Sequence, residues 1–383
     1  MKVLIYSHFF PPSVGGVETI VLSLADGLGK HLQDLSVTLV TQTPAGSFDD
    51  RSLSFKVVRQ PSLFALSQLV RHSDIIHVAG PALSPLLLSL LARKPFVVEH
   101  HGFQAICPNG QLLIPSECKA CPGHFMNGNH RQCLRCNQAE GWFKTCRLWL
   151  LTFVRRYLCQ NASANISPTR WLASLLQLPR TTVIGHGLGR ISKENRVAGP
   201  PDTPVIVFQG RLVATKGLRL LLEAARVLRD RDYVFHILVI GDGPERVALE
   251  TFARNSGLTD RVQFAGCLDH DELEAALSRA YVVVAPSLGG EVFGLVVAEN
   301  MRRGLPVIAS DLGSFVEVLG EGGLTFHAGE ASDLVAKLGQ LLDNPALASK
   351  MGGLALQRIQ DHYSEEHMFQ DHLSLYRGLL TSL

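Results

Sequence analysis

The sequence predicts an α/β protein with two doubly wound parallel sheets. Apolar runs of strand length alternate with segments of helical periodicity along most of the chain, which is the pattern of parallel sheets covered by helices. A polar stretch rich in Pro and Gly, residues 189–204, interrupts this alternation near the middle. The chain has 383 residues, 46% apolar and 18% charged, so it is long enough for two hydrophobic cores.

These observations predict two Rossmann-like domains joined by that linker. The N-terminal domain covers residues 1–188 and includes a cysteine-rich insertion over residues 105–137. The C-terminal domain covers residues 205–364, and a last helix follows at residues 365–383. Ligands of doubly wound sheets bind outside the carboxyl ends of the strands, so the loops after the predicted strands are the candidate site.

Residues 281–311 read as strand, loop, helix and strand, which is a βαβ unit. The loop carries Glu291, and the helix begins near Phe293, Gly294 and Leu295. Backbone N–H groups at a helix N-terminus can hold a phosphate, and a glycine there allows close approach. The sequence therefore predicts an anion site at the start of this helix.

Glu299 is a carboxylate in the otherwise apolar part of the same helix. A carboxylate that enters a core needs a ligand or a cation as its partner. Glu299 is roughly 7 to 8 Å along the axis from the helix N-terminus, which is about the separation between the diphosphate and the ribose of a nucleotide. An internal salt bridge is the alternative.

Two cations follow the first predicted strand of the C-terminal domain. Arg211 and Lys216 lie in the pattern G-R-L-x-x-x-K-G after the strand at residues 205–208. At the mouth of a parallel sheet they can bind an anionic ligand, and surface salt bridges are the alternative.

The N-terminal half offers two further loops. Gly15 and Gly16 stand between the first strand and the first helix, where they can cradle an anion or form a plain tight turn. His101 follows a strand at residues 96–99 and can hydrogen-bond a hydroxyl or a sugar oxygen, with His100 as a supporting neighbour. A structural role is the alternative for both histidines.

The insertion contains a candidate metal site. Two C-x2-C pairs separated by eleven residues supply the ligands for a structural, tetrahedral zinc ion: Cys118, Cys121, Cys133 and Cys136. Other potential ligands nearby are Cys107, Cys146, His124 and His130. The ligand set is therefore not unique, and reduced or redox-active thiols and disulfides are the alternatives.

Composition and charge exclude some classes of protein. A net charge of +2 gives no support to nucleic-acid binding. No apolar run is long enough to span a membrane and no signal-peptide cleavage site is evident, so we expect a cytoplasmic protein.

Residues 141–160 carry four cations, no acids and many large apolar side chains. As a helix they can lie on an anionic membrane surface, and packing into a core is the alternative.

The stretch EVFGLVVAE, residues 291–299, followed by NMRRGLPVIAS, resembles the E-x7-E signature of the retaining family-4 glycosyltransferases, which have the GT-B fold. Further matches stand in the family's order: PPSVGGVE near the N-terminus, His101-Gly102, GRL with Lys216-Gly217, and V-x-F-x-G at residues 262–266. His186 and Ser314 depart from the Asn and the Gly that are common in the family.

The resemblance implies two Rossmann-like domains that face each other across a cleft, with the last helix crossing back onto the first domain. It implies transfer of a sugar from a UDP- or GDP-sugar, with UDP the more frequent, to an acceptor hydroxyl with retention of configuration. No metal cofactor would be required, because positive groups would stabilise the leaving diphosphate. No residue stands out as a covalent nucleophile, so departure from the front face is the working hypothesis.

The same resemblance implies roles for the candidate residues. Arg211 and Lys216 would grip the donor diphosphate, which the loop at residues 15–16 would face. Glu291 would hold sugar hydroxyls and Glu299 the ribose hydroxyls.

The family resemblance implies two more roles. His101 would lie near the sugar and the acceptor, and backbone atoms near Leu268 would meet the base. A carbohydrate or lipid-linked acceptor is expected, in polysaccharide or glycolipid assembly, with peripheral association at the cytoplasmic face of a membrane. A nucleotide-sugar epimerase or hydrolase of the same fold and a non-catalytic binding protein are the alternatives.

Overall fold

A computed structural model describes residues 1–31, 35–189 and 203–381. The chain divides into two compact units. The first unit comprises Met1–Ser116, Cys121–Gly187 and Tyr363–Leu383, and the second comprises Glu117–Ala120 and Leu188–His362. Most of the predicted linker lies outside the described residues.

Strands and helices alternate through the first half of the chain. The strands up to residue 189 are β1 (Lys2–Ser7), β2 (Ser36–Thr41), β3 (Lys56–Arg59), β4 (Ile75–Ala79), β5 (Phe96–Glu99), β6 (Leu113–Ile114), β7 (Lys119–Ala120), β8 (Ala164–Ser167) and β9 (Thr181–Val183). The helices are α1 (Gly16–His31), α2 (Leu63–His72), α3 (Leu83–Leu91), α4 (His130–Cys136), α5 (Trp142–Gln160) and α6 (Arg170–Leu176). Seven strands form one sheet in the order β3-β2-β1-β4-β5-β8-β9, and every pair in it is parallel.

The second half repeats this architecture. Its strands are β10 (Val205–Gln209), β11 (His236–Ile240), β12 (Val262–Gly266), β13 (Val282–Ala285), β14 (Val307–Ser310) and β15 (Gly323–Phe326). Its helices are α7 (Leu218–Asp230), α8 (Arg246–Asn255), α9 (His270–Leu277), α10 (Leu295–Arg302), α11 (Gly313–Leu319), α12 (Ala331–Leu342), α13 (Pro345–His362) and α14 (Glu365–Thr381). The parallel sheet has the order β12-β11-β10-β13-β14-β15.

Both sheets are buried on two faces, as the continuous apolar runs predicted. Every residue of β4, β5, β13 and β14 is buried. In the second unit, α7 packs its apolar face on the sheet through Leu218, Leu221 and Leu228.

Strand order reverses between β1 and β4 in one sheet and between β10 and β13 in the other. At such a switch point the neighbouring loops run to opposite faces and leave a crevice at the carboxyl ends of the strands. The loops after β10 and β13 are those that carry Arg211, Lys216 and Glu291.

The last helix, α14, belongs to the first unit. Ser23 of α1 donates a hydrogen bond to Glu365 at 2.6 Å. A Cβ added at Gly27 would lie 2.2 Å from the Phe369 ring, so the glycine permits the close packing of α1 and α14. Tyr376 of α14 is fully buried.

We expect Leu228→Ala to destabilise the second unit by about 2–5 kcal/mol, because the fully buried side chain leaves a cavity. Val234→Ala, where the side chain is 68% exposed, is the control and should change stability by less than about 0.5 kcal/mol. Calorimetry, with separate transitions fitted for the two units, is the measurement. Equal effects of the two substitutions would contradict the assigned core.

Candidate functional site

The switch point of the second unit brings two predicted site residues into contact. Lys216 ends a short 3-10 helix after β10, and Glu291 lies in the loop after β13. The Leu288 N–H donates to the Thr215 carbonyl at 2.8 Å and ties the two loops together. Lys216 Nζ lies 2.5 Å from Glu291 Oε1.

Lys216 therefore forms a salt bridge, which was the alternative interpretation. Its partner, Glu291, is however itself a candidate site residue. The two side chains are 28% and 13% exposed. Ser287 donates a second hydrogen bond to the same oxygen of Glu291 at 2.9 Å. Both side chains still reach the surface, so a ligand that enters the crevice can contact either partner of the pair.

Two serines that were not candidate site residues hold the Glu291 loop. Ser314 Oγ donates to the Glu291 carbonyl at 3.0 Å, and Ser310 Oγ donates to the Ser287 carbonyl at 2.6 Å. Ser314 was noted only because the resembled family often has glycine there. Its hydroxyl fixes the backbone from which the Glu291 side chain extends.

Helix α10 begins at a glycine whose backbone conformation and packing exclude a larger residue. Gly294 is its N-cap with φ +91°. A Cβ there would lie 2.4 Å from the Phe315 ring, so a larger residue would be strained in backbone and packing alike. Phe293 is buried and Leu295, the first helical residue, is half-buried. The first N–H groups of the helix have no intrahelical acceptor.

Glu299 lies within α10, five residues beyond its N-cap Gly294. Burial raises the pKa of its carboxyl, while Arg303 and Arg302 oppose that rise. Arg303 is engaged elsewhere, since its guanidinium pairs with Glu274, with Nε 3.3 Å from Oε2. Within the part of the chain that the structure describes, the Glu299 carboxylate forms no ion pair, so the internal salt bridge is not observed.

The other two candidates of this unit are less constrained. The Arg211 side chain is exposed and makes no ion pair with any described residue. Leu268 is half-buried in the turn after β12. The Arg211 guanidinium is therefore accessible to an anionic ligand.

In the first unit, Gly15 and Gly16 stand at the junction of the β1 loop and α1. A Cβ at Gly15 would lie 2.5 Å from Glu18 Oε2. Glu18 is buried and accepts a hydrogen bond from Ser13 at 2.8 Å. A carboxylate of the protein itself therefore lies beside this helix N-terminus, where it interacts favourably with the helix dipole.

His101 belongs to a buried cluster that sequence reasoning missed. At its centre is Glu99, the fully buried last residue of β5. Its Oε2 accepts a hydrogen bond from His77 Nε2 at 3.0 Å and lies 3.5 Å from His101 Nε2 and 3.8 Å from His372 Nε2. His186 Nδ1 lies 3.6 Å from Oε1. An acid in an apolar strand was the signal in the sequence, because it requires partners.

Hydrogen bonds fix the tautomers in this cluster. Tyr376 Oη lies 2.7 Å from His77 Nδ1, and since a carboxylate only accepts, His77 donates to Glu99 and accepts from Tyr376. His372 Nδ1 donates to the Met368 carbonyl at 2.8 Å. Its Nε2 therefore faces the Glu99 carboxylate, 3.8 Å from Oε2.

The electrostatics of the cluster follow from this arrangement. Burial alone would raise the pKa of Glu99, but His101, His372 and His77 hold it well below its ordinary value. Burial lowers the pKa of His186 to about 3, with His101 adding to the effect. The His186 and His101 rings stack with centroids 5.2 Å apart, so a neutral imidazole supports His101.

His100 points into the protein and takes the structural role. It donates from Nε2 to Asn165 Oδ1 at 3.0 Å, and burial lowers its pKa to about 4. The neighbouring His101 is thus the better candidate for ligand contact.

Two family models match consecutive parts of the chain. The model described as Glycosyltransferase Family 4 matches residues 14–188, and the model described as Glycosyl transferases group 1 matches residues 190–358. The chain belongs to glycosyltransferase family 4. The resemblance found in the sequence is confirmed.

Relatives of this family-4 chain include enzymes of small-molecule and lipid glycosylation. It is 37% identical over 145 residues to 2-deoxystreptamine glucosyltransferase of Streptomyces kanamyceticus, which is 37% of each chain. It is 26% identical over 375 residues to a GDP-mannose-dependent alpha-(1-6)-phosphatidylinositol monomannoside mannosyltransferase of Mycolicibacterium smegmatis, which is 91% of each. The first three relatives are matched over 37%, 40% and 45% of their own lengths.

Solved structures of the same architecture confirm the GT-B fold class. HepE of Anabaena, crystallised in complex with UDP, superposes with a TM-score of 0.76 at 19% identity over 100% of both chains. Sucrose-phosphate synthase from Thermosynechococcus elongatus superposes with a TM-score of 0.74 at 20% identity, also over 100% of both.

The buried histidines of this family-4 protein predict a pH-dependent stability. Because the folded state depresses the pKa of His186, the unfolded chain binds a proton below about pH 6.5 that the folded chain does not. Stability therefore falls as the pH drops from 7.5 to 5, by roughly 2 kcal/mol for one such histidine.

Urea unfolding at the two pH values measures this effect. We expect His186→Asn to reduce the pH dependence by about that amount, while His270→Asn, at an exposed position, should leave it unchanged. The same pH dependence in His186→Asn and in the unaltered protein would contradict the assignment.

Proposed function

We propose that the protein transfers a glycosyl group from a nucleotide sugar to an acceptor hydroxyl with retention at the anomeric carbon. The observation that carries the proposal is the grouping of Lys216 and Glu291 at a switch point, with the N-terminus of α10 a few residues beyond Glu291. Cations and helical N–H groups suit a diphosphate, and the carboxylate suits sugar hydroxyls.

In this proposal the donor replaces the ion pair. Lys216 Nζ moves from Glu291 to a phosphate oxygen, and Glu291 accepts hydrogen bonds from sugar hydroxyls. The anion site is completed by Arg211 and by the N–H groups of Phe293 and Gly294, just before α10, and of Leu295, its first residue. These groups stabilise the charge that develops on the leaving diphosphate.

Glu299 holds the ribose. Glu299 lies roughly 7 to 8 Å along the axis from the N-terminus of α10. When the phosphates of a nucleotide bind at that N-terminus, its ribose hydroxyls lie at about this distance. The absence of an ion pair to it among the described residues supports a ligand as its partner. Backbone atoms near Leu268 meet the base.

Retention is proposed to arise at the front face of the sugar. The bond from the anomeric carbon to the diphosphate oxygen breaks as the acceptor oxygen adds to the same face, and that diphosphate oxygen takes the acceptor proton. The carboxylate of Glu291 is held by Lys216 and Ser287 and serves as a hydrogen-bond acceptor in this scheme.

The first unit is proposed to contribute Gly15, Gly16 and His101. Glu99 orients the His101 ring so that it meets the sugar or the acceptor. The donor is a UDP- or GDP-sugar: HepE was crystallised with UDP, and the mycobacterial relative is named GDP-mannose-dependent. Nucleotide-sugar hydrolysis or epimerisation on the same site is the second candidate.

Lys216→Ala should lower kcat/KM by about 10²–10³, because it removes a positive charge that acts on the leaving group. Arg219→Ala is the matched control: Arg219 is a cation of the neighbouring helix α7, 63% exposed and paired with Glu223 at 3.0 Å. Unfolding should change little in either variant. Equal turnover of the two variants would contradict the role of Lys216.

A thermal-shift panel of UDP, GDP and their sugars tests the donor class. We expect one nucleoside diphosphate to raise Tm, and Glu299→Gln to weaken that shift because the ribose loses its acceptor. Glu317→Gln on the neighbouring helix α11 is the control. Release of free sugar or an epimer without acceptor would favour the second candidate function.

We also propose a lipid-linked acceptor met at a membrane surface, in polysaccharide or glycolipid assembly on the cytoplasmic side. None of the described helices combines the length and the apolar character needed to cross a bilayer. Helix α5, however, exposes Trp142, Phe143 and Tyr157 by 63%, 90% and 59% beside its cations. This exposure favours surface binding over the core-helix alternative.

Flotation with vesicles that contain anionic lipid tests this part. We expect the protein to float with them, less so at high salt, and Phe143→Ser to weaken flotation more than Val247→Ser, an exposed control on α8. Protein that remains at the bottom with every vesicle composition would contradict it.

A further inference from the structure

The carboxylate of Glu299 has two cations of its own chain segment within reach. Arg302 and Arg303 follow it at spacings of three and four residues, and Arg303 is the C-cap residue of α10. Acids and bases at these spacings are neighbours on a helix surface, and the attraction is best when the acid precedes the base by four residues. The local spacing therefore favours an ion pair of Glu299 with Arg303, but the structure pairs Arg303 with Glu274.

Glu274 of helix α9 holds the Arg303 guanidinium with two hydrogen bonds. Arg303 Nε lies 3.3 Å from Glu274 Oε2, and Arg303 Nη2 donates to Glu274 Oε1. The two side chains are only 5% and 13% exposed, so salt in the solvent screens their attraction weakly. A bidentate contact of this kind fixes the orientation of the guanidinium plane.

That orientation directs both cations away from the Glu299 side chain. Arg303 Nη1 donates to the backbone carbonyl of Glu299 at 2.8 Å, so the guanidinium lies beside Glu299 while its charge is paired with Glu274. Arg302 is engaged as well, because its Nη1 donates to the Gly189 carbonyl at 2.8 Å. The Glu299 carboxylate thus has two cations as neighbours and an ion pair with neither.

The surroundings of Glu299 agree with a side chain that awaits a ligand. It is half-buried and so still reaches the surface of the second unit. Burial raises the pKa of its carboxyl, Arg303 and Arg302 oppose that rise, and the nearby charge of Glu274 adds to it. A half-buried carboxylate in this position gains from hydrogen bonds donated by the hydroxyls of a ligand.

We propose that Glu274 is a positioning residue for the nucleotide: by pairing with Arg303 it keeps that cation off the Glu299 carboxylate, which then accepts hydrogen bonds from the ribose. This role rests on the proposed function, in which Glu299 holds the ribose. Without Glu274, Arg303 is a buried cation that has lost its partner, and Glu299 is the acid beside it. A guanidinium can occupy both carboxylate oxygens, so it competes with the ribose hydroxyls.

Titration calorimetry with UDP and GDP tests this role, and the tighter of the two serves as the probe. We expect Glu274→Met to weaken binding of the probe by about 10-fold or more, since it costs hydrogen bonds to a charged group. Arg303→Met alone should bind the probe like the unaltered protein. The double variant with both substitutions should regain that affinity, and it should fold, because apolar residues often replace a buried ion pair without loss of stability.

The 2′,3′-dideoxy form of the probe lacks the two hydroxyls in question. In the unaltered protein it should bind about 10-fold more weakly than the probe itself, and Glu274→Met should leave its affinity unchanged. General damage to the second unit would weaken both ligands alike. Glu250→Met is the matched control, because Glu250 also pairs with an arginine, Arg246 at 2.9 Å, and it should change neither affinity.

The outcomes separate this role from the proposed function. If Glu299→Gln weakens binding of the probe and Glu274→Met does not, Glu299 holds the ribose and the role of Glu274 is wrong. The role is also wrong if Arg303→Met weakens binding as much as Glu274→Met does, or if the double variant does not recover.

If neither UDP nor GDP binds, or if neither Glu299→Gln nor removal of the ribose hydroxyls weakens binding, the assignment of Glu299 fails and the role of Glu274 fails with it. If Glu274→Met does not fold, Arg303→Met and the double variant decide, because both must bind the probe like the unaltered protein.

Discussion

Parallel strands impose the constraint on which the second unit depends. All carboxyl ends of a parallel sheet lie at one edge, and the strand order reverses between β10 and β13, so the two following loops leave a crevice. Lys216 and Glu291 stand in these loops, 75 residues apart in the chain and in direct contact in space. The ion pair therefore follows from topology rather than from sequence proximity.

The charge cluster around Glu99 and the pair of Lys216 with Glu291 differ in burial, and this difference separates their roles. Glu99 is fully buried, and four imidazoles surround its carboxylate. Removing one partner from such a cluster is costly, so it fixes geometry. The pair of Lys216 and Glu291 is partly exposed and can exchange its partners for those of a ligand. The first cluster suits positioning, and the second suits binding.

Local signals in the sequence predicted the elements around α10 well. Helix α10 ends at Arg302, Gly304 follows with φ +77°, and Pro306 precedes β14. These features depend on neighbours within a few residues, so the sequence displays them directly.

The sequence did not predict contacts between segments that are distant in the chain. His77, His186 and His372 come from three parts of the first unit to reach Glu99, and no spacing rule links them. Ser314 showed only as a departure from a family glycine, although its hydroxyl holds the Glu291 loop. In the insertion, regular spacing favoured Cys118, whereas the fold brings Cys107 toward Cys136 through Asn109.

The sequence by itself determined the α/β class, the two-sheet organisation, the family and most residues at the strand ends, because hydrophobic periodicity and short motifs encode them locally. The tertiary structure alone decided which charges meet: Lys216 with Glu291, Arg303 with Glu274, and Glu99 with its histidines. Pairing of buried or half-buried charges depends on distances between segments that are remote in the chain, and only the folded sheets set those distances.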